Sequence, residues 1–233
     1  MDKIEIFSQA IERFKDHDKE DLLSIGITIG SNPITFKKLY TAYFTNKEKF
    51  ENKPRIGAKI EAKFNRFEDE VLIKRSKIEL RFSTKQFLDY LNLLMICLGE
   101  IYPLGSVVEI DESLLRDEFK KAASVKTEMR SSVQVLITGR FVPLRDDNGE
   151  YLIEYVGRVR PFGEGSNVAP MLFNRVMIKS VVHSGLVDEI EEAEVMKLRS
   201  ELIYGNQISV AFATDEQLEG LFGHLNLYKE GSG

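Results

Sequence analysis

Between Arg55 and Phe82 the chain keeps a period of two. Ile56, Ala58, Ile60, Ala62 and Phe64 are separated by mostly charged residues, and Ile78, Leu80 and Phe82 repeat the pattern. Successive side chains of a strand point to opposite faces, so this pattern predicts strands with one dry and one wet face. Val71-Leu-Ile73 lies between the two runs, and a turn near Arg66–Asp69 completes an antiparallel meander. The dry face needs an apolar cover, and the sequence supplies one directly afterwards. Ser83-Thr-Lys-Gln86 has the spacing of a capping box, Phe87, Leu88, Leu91, Leu94, Met95 and Leu98 follow at helical spacing, and Gly99 stands where a left-handed stop is expected. The expected class is α+β, an antiparallel sheet covered by helices.

The same reasoning extends along the chain. Ile4, Phe7, Ile11 and Phe14 predict an amphipathic helix, and Ser24–Gly30 alternates like a strand. Thr35–Phe50 is closer to helical spacing. After a turn at Tyr102–Ser106, strands are expected at Val107–Ile110, Val133–Val142, Tyr151–Val159 and Val176–His183. Asp147-Asn-Gly149 forms a hairpin signal between the middle two. Helices are expected over Asp111–Ala123, Asp188–Tyr204 (with Gly205 past its end) and Asp215–Leu225, with a short alternation at Ile208–Ala213. The division that follows is 1–98, 99–205 and a tail 206–233, an arrangement open to two subdomains meeting near Gly99–Gly105.

Composition narrows the function classes. With 43% hydrophobic and 30% charged residues, the 233-residue chain is composed like a globular protein. Its longest apolar run, Leu91–Leu98, is too short for a bilayer crossing, and Met1-Asp-Lys-Ile-Glu does not open like a signal peptide, so a cytoplasmic location without membrane contact is expected. The one cysteine, Cys97, rules out an intramolecular disulfide framework and falls on an apolar helix face, where packing is its expected role. Net charge is −5, so the whole molecule has no cationic footprint for nucleic acid or lipid. The charge is nevertheless uneven: Thr35–Lys85 holds 14 basic against 7 acidic residues, and Leu186–Ile203 holds 6 acidic against 2 basic. Solvated faces of separate elements and a polarised docking surface both fit this distribution. Phe36, Lys37, Lys38, Tyr40, Tyr43 and Phe44 could stack single-stranded nucleic acid, but a core-facing aromatic stripe beside a wet lysine face explains them equally well.

Nothing in the chain has the pattern of catalytic machinery. His17, His183 and His224 are scattered without metal-ligand spacing, and no nucleophile elbow, phosphate-binding loop or dinucleotide fingerprint occurs. His183 and Ser184 are neighbours in an expected strand and would point to opposite faces. Asp188, Glu189, Glu191, Glu192 and Glu194 have the spacing of a surface helix, with no tryptophan or aromatic cluster beside them to form a sugar cleft. The expectation is a protein that is not an enzyme and needs no metal or cofactor.

An ordered set of short strings carries a resemblance. Tyr102-Pro-Leu-Gly-Ser-Val-Val108 is followed by Val133-Gln-Val-Leu-Ile-Thr-Gly-Arg140, by Glu154-Tyr-Val-Gly157 with Pro161, and by Phe173-Asn174. Val181-Val-His-Ser-Gly185 comes last, with acids after it. Together these resemble a family of small domains of unknown function from Gram-positive bacteria, encoded beside LXG polymorphic toxins of the type VII secretion system. Members typically read "LPLGSVV", a strand ending "IIGR", "DYxGxxYPxG" and "FNxxxIxxVxFxGYxDxEE". The resemblance covers roughly Leu98–Glu201 and leaves the N-terminal half aside. Two departures stand out: an insert from Asp111 to Ser132, and Gly185-Leu186 in place of Gly-Tyr. The resemblance implies a cytoplasmic chaperone that binds its cognate toxin and promotes export, with an immunity protein as the alternative; it leaves the oligomeric state open. For such a client, Phe162, Met171, Leu172 and Phe173 flank the glycine-rich Phe162–Asn167 loop and are expected as apolar anchors. Lys37, Lys38, Lys59 and Lys63 are expected to meet an acidic client surface.

Overall fold

The computed structural model describes residues 2–54, 57–111, 113, 132–146, 149–163 and 169–213. The expected helices over 111–123 and 215–225, and the glycine-rich loop at 164–167, fall wholly or mainly outside these residues. The chain divides into two compact units. Unit 1 is Met1–Ile101 with Glu194–Asn206, and unit 2 is Tyr102–Ala193 with the segment from Gln207 onward.

Unit 1 sets helices against an antiparallel meander. α1 (Lys3–Ala10) begins with a capping box: the Asp2 carboxylate accepts from the Ile4 and Glu5 amides, and the Glu5 carboxylate accepts from the Asp2 amide. α2 (Lys19–Gly30) takes in Ser24–Gly30, where the alternation suggested a strand. Asp18 caps it by accepting from the Asp21 amide at 3.0 Å, and Leu22, Ile25 and Ile29 fall together on a buried face. Its two glycines permit close packing: a Cβ on Gly26 would lie 2.4 Å from the Phe7 ring, and one on Gly30 would lie 2.9 Å from Leu98. α3 (Pro33–Phe44), capped by Asn32, stops before the expected Phe50, because Lys49–Asn52 is recruited as β1. β1, β2 (Ile60–Asn65), β3 (Glu70–Arg75) and β4 (Ile78–Phe82) follow in spatial order, and Ile60, Ala62, Phe64, Val71, Ile73, Leu80 and Phe82 are buried as their period requires. In the core, Tyr90 meets Phe14 at 5.8 Å edge-on and stacks on Phe82 at 5.1 Å between ring centroids.

α4 (Thr84–Leu93) starts with the Ser83–Gln86 capping box and continues as a π-helical turn, Leu94–Leu98. Its end differs from the expected left-handed glycine stop: Gly99 is extended, with φ −63°. The physical reason lies far along the chain. Arg199 is buried on α5 (Glu189–Tyr204), where it donates to the carbonyl oxygen of Ile96, a helix-end acceptor, and at 2.8 Å to that of Gly99 just past the helix, so the chain end is satisfied without a left-handed cap. Residues 194–205, expected with the family-like segment, and Asn206, expected with the tail, cluster with unit 1.

Unit 2 is built on a second sheet ordered β10-β7-β6-β5-β9, with β8 also on β7. Its strands are β5 (Val107–Ile110), β6 (Gln134–Asp146), β7 (Gly149–Val159), β8 (Met171–Phe173), β9 (Ile178–His183) and β10 (Ile208–Ser209). All pairings are antiparallel except β10 with β7. The β6–β7 hairpin closes between Asp146 and Gly149, as the Asn-Gly signal predicts, although residues 147 and 148 themselves are not described. Val108, Ile110, Val133, Val135, Ile137, Tyr155, Val159, Met171, Phe173 and Ile178 form the core. The expected strand from Val176 starts two residues later, after a 3₁₀ turn at Arg175–Met177, and the Ile208–Ala213 alternation becomes β10 plus a second 3₁₀ turn. The α+β expectation is met by both sheets. Among the described residues no helix is long and apolar enough to cross a membrane.

Candidate functional site

Among the described residues β9 sits at one end of the unit 2 sheet, with β5 as its neighbour in strand order. Its pairing slips twice, so Lys179 and Val182 are each the extra residue of a bulge. Only Ile178 of this strand is buried. The consequence is an exposed apolar run through the loop into α5: Val181 is 43% exposed, Val182 48%, Leu186 76%, Val187 57% and Ile190 80%. Acids are interleaved with it. Asp188, Glu189 and Glu192 are exposed, and the Asp188 carboxylate accepts from the Glu191 amide at 2.9 Å to start α5. The one lysine of β9 is engaged, since Lys179 reaches Glu109 at 2.6 Å, and this contact together with Ser180 holds the Glu109 carboxyl below its usual range.

The strings that carry the resemblance explain how this run is held. Ser106 is fully buried, and its hydroxyl accepts from the Gly185 amide at 3.0 Å, tying the end of β9 to the Leu104–Ser106 turn. A Cβ at Gly185 would stand 2.1 Å from the Leu104 carbonyl oxygen, so glycine is required there by space. Arg140 of β6 donates through both terminal nitrogens to Glu191, which fixes the first turn of α5. Glu154 of β7 is wholly buried, accepting from Arg175 Nε at 2.8 Å and from the Ser209 hydroxyl at 3.3 Å. It fills the place on β7 between the lengths paired with β8 and with β10, and the two terminal nitrogens of Arg175 are buried without a hydrogen-bond partner. Beside it the Tyr155 hydroxyl accepts from the Tyr102 amide at 3.1 Å, and burial pushes its phenol up to about 12. Most motif residues therefore assemble the unit, and the surface they present is the 181–190 run.

The expected anchor residues are placed differently. Met171 and Phe173 are core members, each 2% exposed, because β8 pairs with β7 and turns both inward; serving as client anchors would require pulling that strand out. Leu172 is half-buried, and Phe162 packs against the same core at the end of β7. Of the lysines, Lys59 is spent within unit 1, on Glu51 at 3.2 Å and on Glu61. Lys63 is exposed on the wet face of the meander, opposite Lys49, while Lys37 and Lys38 lie on α3, the first half-buried and the second exposed. The aromatic stripe of α3 is largely core: Phe36 and Tyr43 are buried, and Tyr43 packs on Phe64 and Phe87. Sequence reasoning missed Phe67, which is fully exposed at the β2–β3 turn. There Arg66 donates to the Tyr43 carbonyl oxygen at 2.6 Å, and Asp69 accepts from the Thr84 amide at 3.1 Å.

Cys97 is buried and its thiol is pushed up to about 12 by burial, as a packing residue requires. Among the described residues, no group of three His, Cys, Asp or Glu side chains could hold a metal ion.

No curated protein and no solved structure matches the chain. One family model does, over a stretch that takes in β6 to β9, the exposed run and the start of α5, and stops short of the Tyr102–Val108 string. Residues 124–194 match the model of a domain of unknown function, DUF4176.

Proposed function

We propose that the chain is a cytoplasmic accessory protein that binds a cognate LXG-type toxin and promotes its export by type VII secretion. The observation that carries the reading is the exposed apolar run Val181–Ile190, which lies within the family-matched stretch and is tied down by hydrogen bonds from Gly185 to Ser106 and from Arg140 to Glu191. Solvent-facing leucine, isoleucine and valine side chains, gathered in one short segment and rimmed by polar groups, are characteristic of a surface that a protein partner covers. A second reading, an immunity protein, has one observation in its favour: the exposed acids Asp188, Glu189 and Glu192 would complement a cationic toxin active site.

Deleting the gene in a strain that encodes an LXG toxin beside it separates the two. Loss of toxin export with normal growth is the expected result. Self-intoxication with normal export would assign immunity, and a deletion that changes neither would refute both readings.

A further inference from the structure

The 181–190 run also indicates what kind of surface it meets. Main-chain addition of a strand to β9 is disfavoured, since the bulges at Lys179 and Val182 break the regular edge that a new strand would need. Contact must come through side chains. The apolar ones are Val181, Val182, Leu186, Val187 and Ile190, and the exposed charged ones among them are Asp188, Glu189 and Glu192. Among the described residues neither Glu189 nor Glu192 has an ion-pair partner, whereas Glu191 is spent on Arg140.

Charge decides between possible occupants. A second copy docked by the same patch would bring acid against acid. The chain's own residues 214–233 carry four acids and one lysine, so they too would be repelled, whereas residues 114–131 carry five bases against three acids and have the sign that fits. An apolar surface with lysine or arginine at its rim pairs with both the valine, leucine and isoleucine side chains and the exposed carboxylates of Glu189 and Glu192. We propose that the Val181–Ile190 surface of unit 2 is the docking site for a basic, amphipathic segment of the client; this specifies the partner chemistry of the function proposed above and rests on it.

The probes are two synthetic 18-residue peptides of equal length and apolar content, one pairing leucine with lysine and one pairing leucine with glutamate, titrated into the full chain and followed by fluorescence anisotropy. The lysine peptide should bind at least about tenfold more tightly than the glutamate peptide, a preference that Glu189→Lys with Glu192→Lys reverses. Leu186→Ser with Ile190→Ser, at positions too exposed to be needed for folding, should weaken the lysine peptide by about tenfold. Equal binding of the two peptides, or unchanged binding by the Leu186→Ser/Ile190→Ser chain, overturns the proposal. So does sedimentation of the wild-type chain as a dimer that this variant converts to monomer, because the occupant would then be a second copy. Lysine-peptide binding at least about tenfold tighter in a Lys120→Glu/Lys121→Glu/Lys126→Glu chain would make residues 114–131 the occupant and overturn the proposal as well.

Capture of an LXG toxin by the full chain, measured in parallel, keeps the two levels apart. Toxin capture that survives Leu186→Ser/Ile190→Ser overturns the docking site and leaves the function standing. Peptide discrimination as expected, with no toxin capture by the wild-type chain, leaves the surface standing and overturns the function.

Discussion

Arg140 and Glu191 form a two-pronged ion pair across unit 2, with Nη2 at 2.9 Å from Oε2 and the arginine side chain only 7% exposed. A planar guanidinium matches a carboxylate through two parallel hydrogen bonds, which a lysine ammonium cannot reproduce. Arg140→Lys should therefore behave as a disruptive change. We expect a loss of about 1–2 kcal/mol in urea unfolding and faster amide exchange over residues 186–192, the segment that the pair anchors. Equal stability and exchange for the two proteins would show that α5 is held by other means.

Glu154 and Arg175 form the deepest ion pair of unit 2. Glu154→Gln leaves a buried guanidinium without its counter-charge and should cost about 3 kcal/mol, whereas Glu154→Leu combined with Arg175→Met should cost much less than the two single changes added together. A double-mutant cycle by chemical denaturation measures this coupling, and strict additivity would contradict the pairing.

Space rather than backbone conformation makes Gly185 indispensable. Its added Cβ would meet the Leu104 carbonyl oxygen, while the nearest atom to a Cβ on Gly139 is 3.6 Å away, on Val156. Gly185→Ala should destabilise by about 1–3 kcal/mol, and Gly139→Ala should leave the melting temperature unchanged or raised. Thermal melts of the two variants side by side check this contrast.

At high pH several buried acids act together, the Tyr90 phenol, also raised by burial, among them. The Cys97 thiol and the Tyr155 phenol are each raised to about 12 in the folded chain, from ordinary values of 9.0 and 10.0. The folded state keeps protons that the unfolded state has released, so stability should be flat below pH 9 and fall as pH rises from there toward 12. Cys97 should also resist alkylation: burial hides the thiol and disfavours its thiolate, so iodoacetamide should label the native protein far more slowly than the unfolded chain. Rapid labelling of the native protein would place the thiol at the surface.

The meander and the α4 capping box were legible because two-residue alternation and a Ser-x-x-Gln box each have one structural solution. Ser24–Gly30 was not, since Ile25, Ile27 and Ile29 satisfy a period of two while Leu22, Ile25 and Ile29 satisfy a helical one, and the Asp18 cap decides in favour of the helix. Gly99 misled for another reason. The donor to its carbonyl, Arg199, is 100 residues away, and a local pattern carries no trace of it. At the candidate site, Met171 and Phe173 are an apolar pair beside a glycine-rich loop whether they pack inward or outward; only the pairing of β8 with β7 shows which. The exposure of Leu186 carries no local sequence signal, because the Ser106–Gly185 contact sets the path of the loop.

The discontinuity of unit 1 bears on how the protein is made. Its first 101 residues leave the ribosome long before Glu194–Asn206, so Ile96 and Gly99 wait for Arg199 while all of β5 to β9 is synthesised. At elongation rates of about 5–20 residues per second that interval is roughly 5–20 s. During it the Leu91–Leu98 turn is a nascent apolar segment whose closing arginine does not yet exist, and an arrest placed before residue 199 should leave the N-terminal half protease-sensitive. The N-terminal unit thus cannot close until most of the second unit has been made, a departure from simple vectorial order.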